Sequence, residues 1–577
     1  MSGSLNRIIA SGALFLTLAT GASAQTLSHD DTDHDAPGII CGMELTNNEH
    51  RDEALANTAR TNPELYRQII ASTKMPNRRA IASVGDEHTF YSLDYATNQY
   101  FEVTATLVYD GILARIWVDN ADTARVKPTV ISQLARGLDS VSGTKSRNPA
   151  KGIIENDKEV YGDTPKKWEI DGKTDFLMTD IQDGQTGGSF VAGYFSPFDQ
   201  TGSSGSNMMN LLFIDSRQGL SAGVNALLST IAHEFQHLIH YGKNPSSDIV
   251  FNEGCSEVAS ILCGFKDRAN TTYLSNTNVS MFKWNYNDGS KVLADYERAM
   301  TFMHYLKEQY GEQFLTKFLV TRSSGMQRVT DALKAIGKTA TWQDALKSFA
   351  AANYLVKSYN DSRYIYQYLL SSSIAKAATI YDSAFAANGS VSVQAYAASY
   401  VNYKNPGGMK IRFKSSQNYS VMAMMYEGTT PSNVVELSDN TDYTFNDDGR
   451  YDRIVFAVVN LSSGVNSVSW TAEHVALGVE DNEGAVAATA KLAVTAIAPT
   501  PSVGQTTISF NTVSSAPVTM QLFGVNGELV STLVDGERYE PGTHQVMVDA
   551  GTLSNGAYVV RLVQGTTSES RVMLVMK

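Results

Sequence analysis

The stretch Ser229-Thr230-Ile231-Ala232-His233-Glu234-Phe235-Gln236-His237-Leu238-Ile239-His240-Tyr241-Gly242 decides how this 577-residue chain is read. Its apolar spacing is helical. At 3.6 residues per turn, His233 and His237 project from one face and are spaced to share a metal ion. Glu234 lies beside that metal, where it can take a proton from water. These are three of the parts that a zinc hydrolase needs; a third protein ligand from another element and one open position complete it. Downstream stands Asn252-Glu253-Gly254-Cys255-Ser256-Glu257. The gap gives room to end the first helix near Gly242, loop through KNPSSD and start a second helix whose Glu253 faces back. Glu257, four residues on, shares that helix face. A carboxylate there can accept a hydrogen bond from the non-metal nitrogen of a ligand histidine.

Hydrophobic residues make up 43% of the chain and charged residues 18%, which excludes wholesale disorder. The net charge of −13 comes with no basic stripe, which argues against nucleic acid as a partner. Residues 1–24 read as a secretory signal: Arg7, then the apolar run IIASGALFLTLATG, then Ala22-Ser23-Ala24. No other segment is long enough to span a membrane. Of the three cysteines, Cys255 and Cys263 are eight apart on an expected helix. That is roughly 12 Å along the axis, too far for a disulfide. Cys41 stands alone in GIICGMEL (38–45). Two readings stay open for it: an incidental or buried thiol, or a thiolate that blocks the water position until a pro-segment is removed.

A chain this long holds several domains. Residues 25–88 read as an N-terminal arm or pro-segment, polar and irregular at first, with the acidic, His-bearing run HDDTDHD (29–35) as a solvated stretch or, alternatively, a weak metal-binding tract. An α+β domain follows over 89–385. It opens with a β segment, FEVTATLVYDGILARIWVDN (101–120), whose Asp110-Gly111 signals a hairpin. Helical periodicity dominates from about 121 to 370, with helices expected at 219–241, 250–264, 291–310, 326–337 and 341–353. Strand-like runs at 188–215 precede the two histidines. Two all-β sandwich domains are expected after it, at 386–476 and 491–577, joined by a linker of small and acidic residues at 477–490. Calcium stays open as a further ion with no site assigned: the run 171–184 is acid-rich, but its spacing fits no EF-hand loop.

The site residues resemble those of the gluzincins, whose third ligand is the glutamate of an Asn-Glu pair on the following helix. Asn252-Glu253-Gly254 is similar to the corresponding motif of the aminopeptidase N group. Asn252-Glu253-x-x-Ser256-Glu257 resembles the thermolysin pattern, with Glu257 where the orienting aspartate stands. The short spacing is most similar to the hyicolysin-like bacterial metallopeptidases, over roughly residues 95–370. The resemblance implies a zincin domain with one catalytic Zn2+ held by His233, His237 and Glu253, Glu234 as general base and Glu257 as orienting group. A metzincin would need glycine at 240 and histidine at 243; His240 and Lys243 stand there instead, and His240 reads as a cleft-wall or packing residue. Asp295-Tyr296-Glu297-Arg298-Ala299 resembles the Tyr-Glu-Lys-Gly helix start of the aminopeptidase N group, whose tyrosine donates to the oxyanion. That role is carried to Tyr296, with departures at Arg298 and Ala299 and His304 as runner-up. The exopeptidase motif of that group is missing. Gly187–Val191 falls where the sheet edge is expected and carries no carboxylate. The reading is therefore an endopeptidase acting on extracellular proteins and peptides. A zinc aminopeptidase, or an inactive adhesin on a peptidase scaffold, is the alternative.

The tail carries Pro499-Thr500-Pro501, Gly527–Val530, Gly542-Thr543-His544, Leu553–Tyr558 and a terminal Lys577. This pattern resembles the type A C-terminal sorting domain of the type IX secretion system, with Thr500 in place of the usual asparagine. It implies the secretion machinery as a partner and a place outside the outer membrane. No transmembrane helix is expected once the signal is removed.

Overall fold

The computed structural model describes residues 39–41, 48–72, 82–184, 190–265, 270–285, 288–367, 374–381, 388–445, 450–475, 492–498, 501–512, 515–540, 542–565 and 567–577. The expected signal segment, the run 29–35, Gly187–Ser189 and the expected linker lie outside the described residues.

A seven-stranded sheet organises the first half of the chain. Its strands are β1 (Ile39–Cys41), β2 (Glu87–Asp94), β3 (Gln99–Asp110), β4 (Ala114–Asp119), β5 (Thr174–Thr179), β6 (Phe190–Phe195) and β7 (Leu211–Asp215). Their spatial order is β1-β6-β7-β5-β4-β3-β2. β3 and β4 form the hairpin expected at Asp110-Gly111. β4, β5 and β7 pair in parallel and are buried on both faces, which explains their near-continuous apolar runs. Side chains alternate between two cores: Ile116 and Val118 join the one shared with the helices, and Trp117 joins the other. The acid-rich run 171–184 thus contains a central strand, β5.

The helices are α1 (Asn48–Thr61), α2 (Pro63–Ser72), α3 (Pro128–Asp139), α4 (Ile153–Tyr161), α5 (Gln218–Ser221), α6 (Val224–Lys243), α7 (Ile249–Leu262), α8 (Thr271–Ser275), α9 (Gly289–Tyr310), α10 (Glu312–Val320), α11 (Gln327–Ala335) and α12 (Trp342–Leu355). α1 and α2 occupy part of the stretch read as an arm, and α1 packs on β3. The helix expected at 219–241 is two, because Gly223 at φ 104° breaks the ladder between α5 and α6. α6 then lies close against β6. A Cβ at Gly193 would come within 2.8 Å of Thr230 Cγ2 and 2.9 Å of Phe213 O, so only glycine permits this approach.

After α12 the chain is strands. β8 (Thr379–Tyr381), β10 (Ala398–Lys404), β12 (Tyr419–Glu427), β13 (Thr430–Leu437) and β15 (Arg453–Asn460) form one sheet. β9 (Gly389–Val393), β11 (Gly408–Lys414), β14 (Tyr443–Phe445) and β16 (Asn466–Val475) form a second. The two share a core containing Val401, Phe413, Phe456 and Trp470. The outer face of the first sheet packs on α12, and its Tyr400, Met424 and Val455 belong to the helical core. The last strands are β17 (Ala493–Ala498), β18 (Gln505–Thr512), β19 (Ala516–Gly524), β20 (Leu529–Tyr539), β21 (Gly542–Asp549), β22 (Gly556–Gln564) and β23 (Thr567–Val575). They form a three-stranded and a four-stranded sheet around a core of their own. Among the described residues no helix is long and apolar enough to cross a membrane.

Candidate metal centre

α6 and α7 pack side by side and bring three predicted residues together. His233 Nε2 lies 3.1 Å from His237 Nε2 and 3.2 Å from Glu253 Oε2, and His237 Nε2 lies 3.4 Å from Glu253 Oε2. Tetrahedral zinc with ligand bonds of about 2.0–2.1 Å has ligand–ligand edges of roughly 3.3–3.4 Å. The three measured edges therefore fit a tetrahedral face. The donor chemistry fits as well: two imidazoles and one carboxylate, all buried. The other carboxyl oxygen, Glu253 Oε1, is buried without a hydrogen-bond partner. Burial alone would raise the Glu253 pKa, but the two histidines outweigh it and bring it down to about 2.

The outer nitrogens of both histidines are held. His233 Nδ1 is 3.5 Å from Glu257 Oε1, the contact expected for that carboxylate. His237 Nδ1 is 3.2 Å from Asn252 Oδ1 and 3.0 Å from Ser256 Oγ. Sequence reasoning missed this role for Asn252 and Ser256. Their positions flanking Glu253 on α7 were the available signal. Gly254 has a steric reason: a Cβ there would come within 2.5 Å of Met303 Cγ and 2.7 Å of Ala299 O on α9.

Glu234 is buried, and its Oε2 accepts a hydrogen bond from Phe195 N–H at the end of β6 (2.9 Å). Burial pushes this carboxyl up to about 8, with Glu253 adding to the rise and His237 opposing it. Tyr296 comes in from α9, its ring edge-on to Trp284 at 5.0 Å and 6.4 Å from the His233 ring. The departure at Arg298 is structural: Arg298 is buried and paired with Asp295 (2.6 Å). Glu297, which keeps the pattern, accepts from Tyr273 N–H (2.7 Å). His304 lies two turns further along α9, 3.5 Å from Glu308. Burial drives its pKa down to about 3, so it is a neutral ring. His240 is packed between Gln236 and Arg328, as its packing reading expected.

A fourth group reaches the same point. Cys41 Sγ lies 3.5 Å from both His237 Nε2 and Glu234 Oε2. With His233, His237 and Glu253 it forms a set whose ligand atoms all lie within 4.8 Å of one another. Phe190 and Val191, the described part of the stretch expected at the sheet edge, belong to β6, which is not the edge strand. β6 is covered by β1, which pairs with it in parallel.

Residues 496–576 match the family described as secretion system C-terminal sorting domain. That segment marks the chain for export through the type IX secretion system, to the cell surface or the extracellular space. A neutral metalloprotease, ShpI of Staphylococcus hyicus, is 25% identical over 282 residues, which is 45% of this chain and 60% of the relative. The chain thus spans less than two thirds of that relative's length. Among solved structures, a mitogen from Yersinia pseudotuberculosis is 12% identical at a TM-score of 0.13, covering 17% of this chain and 91% of its own. A β-glucuronidase of Faecalibacterium prausnitzii is 10% identical at 0.13, over 32% of this chain and 37% of its own. TM-scores this low say nothing about a shared fold.

Proposed function

We propose that this chain is a secreted zinc-dependent endopeptidase of the gluzincin type, with its catalytic unit over 89–385 and all-β units at 386–476 and 491–577. The observation that carries the reading is the triangle of His233, His237 and Glu253, whose edges of 3.1, 3.2 and 3.4 Å match a zinc coordination face. Likeness to a neutral metalloprotease supports a metal-dependent peptidase.

Bound zinc would supply Lewis acidity, lowering the pKa of the attacking water and polarising the scissile carbonyl. The protein's own groups do the rest. Glu234 Oε2, fixed by Phe195 N–H, takes the proton from the attacking water and returns it to the leaving amine. Asn252, Ser256 and Glu257 fix the ring orientations of the ligand histidines. Tyr296 Oη is the candidate donor to the developing oxyanion.

Glu234→Gln keeps the Phe195 contact and removes the base. Hydrolysis of a blocked internal peptide is expected to fall about 10²–10⁴-fold, with one zinc still bound by elemental analysis. Near-normal turnover in that variant would remove Glu234 from the mechanism. Cleavage of amine-blocked peptides separates this reading from an aminopeptidase, and chelator-sensitive casein hydrolysis separates it from an inactive adhesin.

A further inference from the structure

We propose that Cys41 is a fourth zinc ligand, and that β1 holds the enzyme latent by filling the cleft in the manner of a substrate strand. This rests on the zinc site proposed above. A thiolate at about 2.3 Å from tetrahedral zinc stands roughly 3.6 Å from an imidazole nitrogen bound at about 2.05 Å. Cys41 Sγ is 3.5 Å from His237 Nε2, so it lies at the distance expected for the remaining vertex. The triangle of His233 Nε2, His237 Nε2 and Glu253 Oε2, with edges of 3.1, 3.2 and 3.4 Å, points independently to a cation at this place.

Cys41 meets all three working parts of the site. Its Sγ joins the metal-ligand cluster. The same sulfur lies 3.5 Å from Glu234 Oε2, the proposed base. Its backbone N–H donates to Tyr296 Oη at 3.3 Å, which sets β1 against the proposed oxyanion donor. The backbone explains how one residue does this. Ile39 pairs with Phe190 and Ile40 with Val191, but the register then shifts and Cys41 stands opposite Gly193. Such an irregularity re-aims the side chain at a strand end.

β1 also decides what the cleft binds. It is the outermost strand of the sheet, and β6 is its partner. Without β1, the outer backbone groups of β6 are open to pairing with an extended peptide. Ligation costs the thiol one proton, released to solvent. Activation reverses it: the sulfur leaves zinc and takes a proton, or hydrolysis of a peptide bond C-terminal to Cys41 lets β1 depart.

The test uses the purified full chain, wild type and Cys41→Ser, loaded with zinc or with cobalt(II). Iodoacetamide labelling followed by intact and peptide mass is the first readout. Cys255 and Cys263 are fully buried and serve as internal controls. Labelling of Cys41 is expected to be at least tenfold slower with metal than after chelation. The cobalt form is expected to show a near-ultraviolet thiolate-to-metal band that Cys41→Ser lacks. Cys41→Ser, or wild type alkylated at Cys41, is expected to cleave a blocked peptide at least tenfold faster than untreated wild type. Equal labelling with and without bound metal, or a cobalt spectrum unchanged by Cys41→Ser, would overturn the inference while leaving the three-ligand site standing. Failure of the chain to bind either metal would overturn both. Binding lost in His233→Ala but kept in Cys41→Ser locates any failure at the thiol.

Discussion

At the residue scale, the proposed zinc site divides into groups that would hold the metal and groups that would hold those groups. Glu257 belongs to the second kind, because its Oε1 lies 3.5 Å from His233 Nδ1, the nitrogen turned away from the proposed metal. Glu257→Ala is expected to weaken zinc affinity about 10–100-fold by freeing the ring. A competitive chelator titration reads this directly. Unchanged affinity would reduce Glu257 to packing. A second residue-scale prediction concerns Asp199, buried beside the sheet. Its Oδ1 accepts from Asn207, its Oδ2 has no partner, and burial pushes its pKa up to about 7. The folded state therefore holds a proton that the unfolded state has released between about pH 4 and 7. Stability falls as pH rises through that window, since the unfolded chain binds fewer protons there. Asp199→Asn keeps the oxygen that accepts from Asn207. It is expected to flatten the pH dependence and to gain at most about 4 kcal/mol at pH 8. Denaturant melts at pH 5 and pH 8 check it; an undiminished slope in the variant would assign the effect elsewhere.

At the element scale, the metal centre depends on how closely α7 approaches α9. Gly254 makes this contact possible, and a methyl group there would collide with Met303 and the Ala299 carbonyl. Met303 can shift, but backbone cannot. Gly254→Ala is expected to destabilise the protein by about 1–3 kcal/mol and to displace Glu253 from His233 and His237. The measurements are a thermal melt and zinc content. A variant with wild-type melting and full zinc would show that α7 has room to move. The same elements show what was legible in advance. α6, α7 and α9 are legible because a helix writes its face every three or four residues, and the proposed metal donors sit on the faces of α6 and α7. The break at Gly223 is not, because a glycine fits a helix or a break equally well by composition. α1 reads as arm in the sequence because NEHRDEALANTART carries few apolar residues; in the fold it packs on β3. The place of Cys41 was the least legible. Its contacts lie 193, 196 and 255 residues away in sequence, and only the pairing of β1 with β6 brings them together.

At the scale of the whole molecule, the two β-rich parts differ in how they are attached. The sheet of β8, β10, β12, β13 and β15 lends Tyr400, Met422, Met424, Tyr426, Val455, Ala457 and Val459 to the helical core. Six of these are large side chains, each worth about 1.5–3 kcal/mol when buried. Exposing them would forfeit on the order of 10 kcal/mol, comparable with the whole stability of a typical domain. Among the described residues, the terminal strands β17–β23 instead close on a core drawn from residues 492–575. Truncation should therefore separate folding from export. A chain ending at residue 476 is expected to melt within a few degrees of the full protein and to bind the same zinc, yet to stay in the periplasm for want of its sorting domain. A chain ending at residue 376 is expected to aggregate or be degraded, because the outer face of α12 is stripped. Cell fractionation with antibody detection, paired with melts of the purified chains, measures both. Secretion of the 476-residue chain at normal yield would show that the export information lies upstream of β17. A stable 376-residue chain would show that the middle strands merely rest on the helical core.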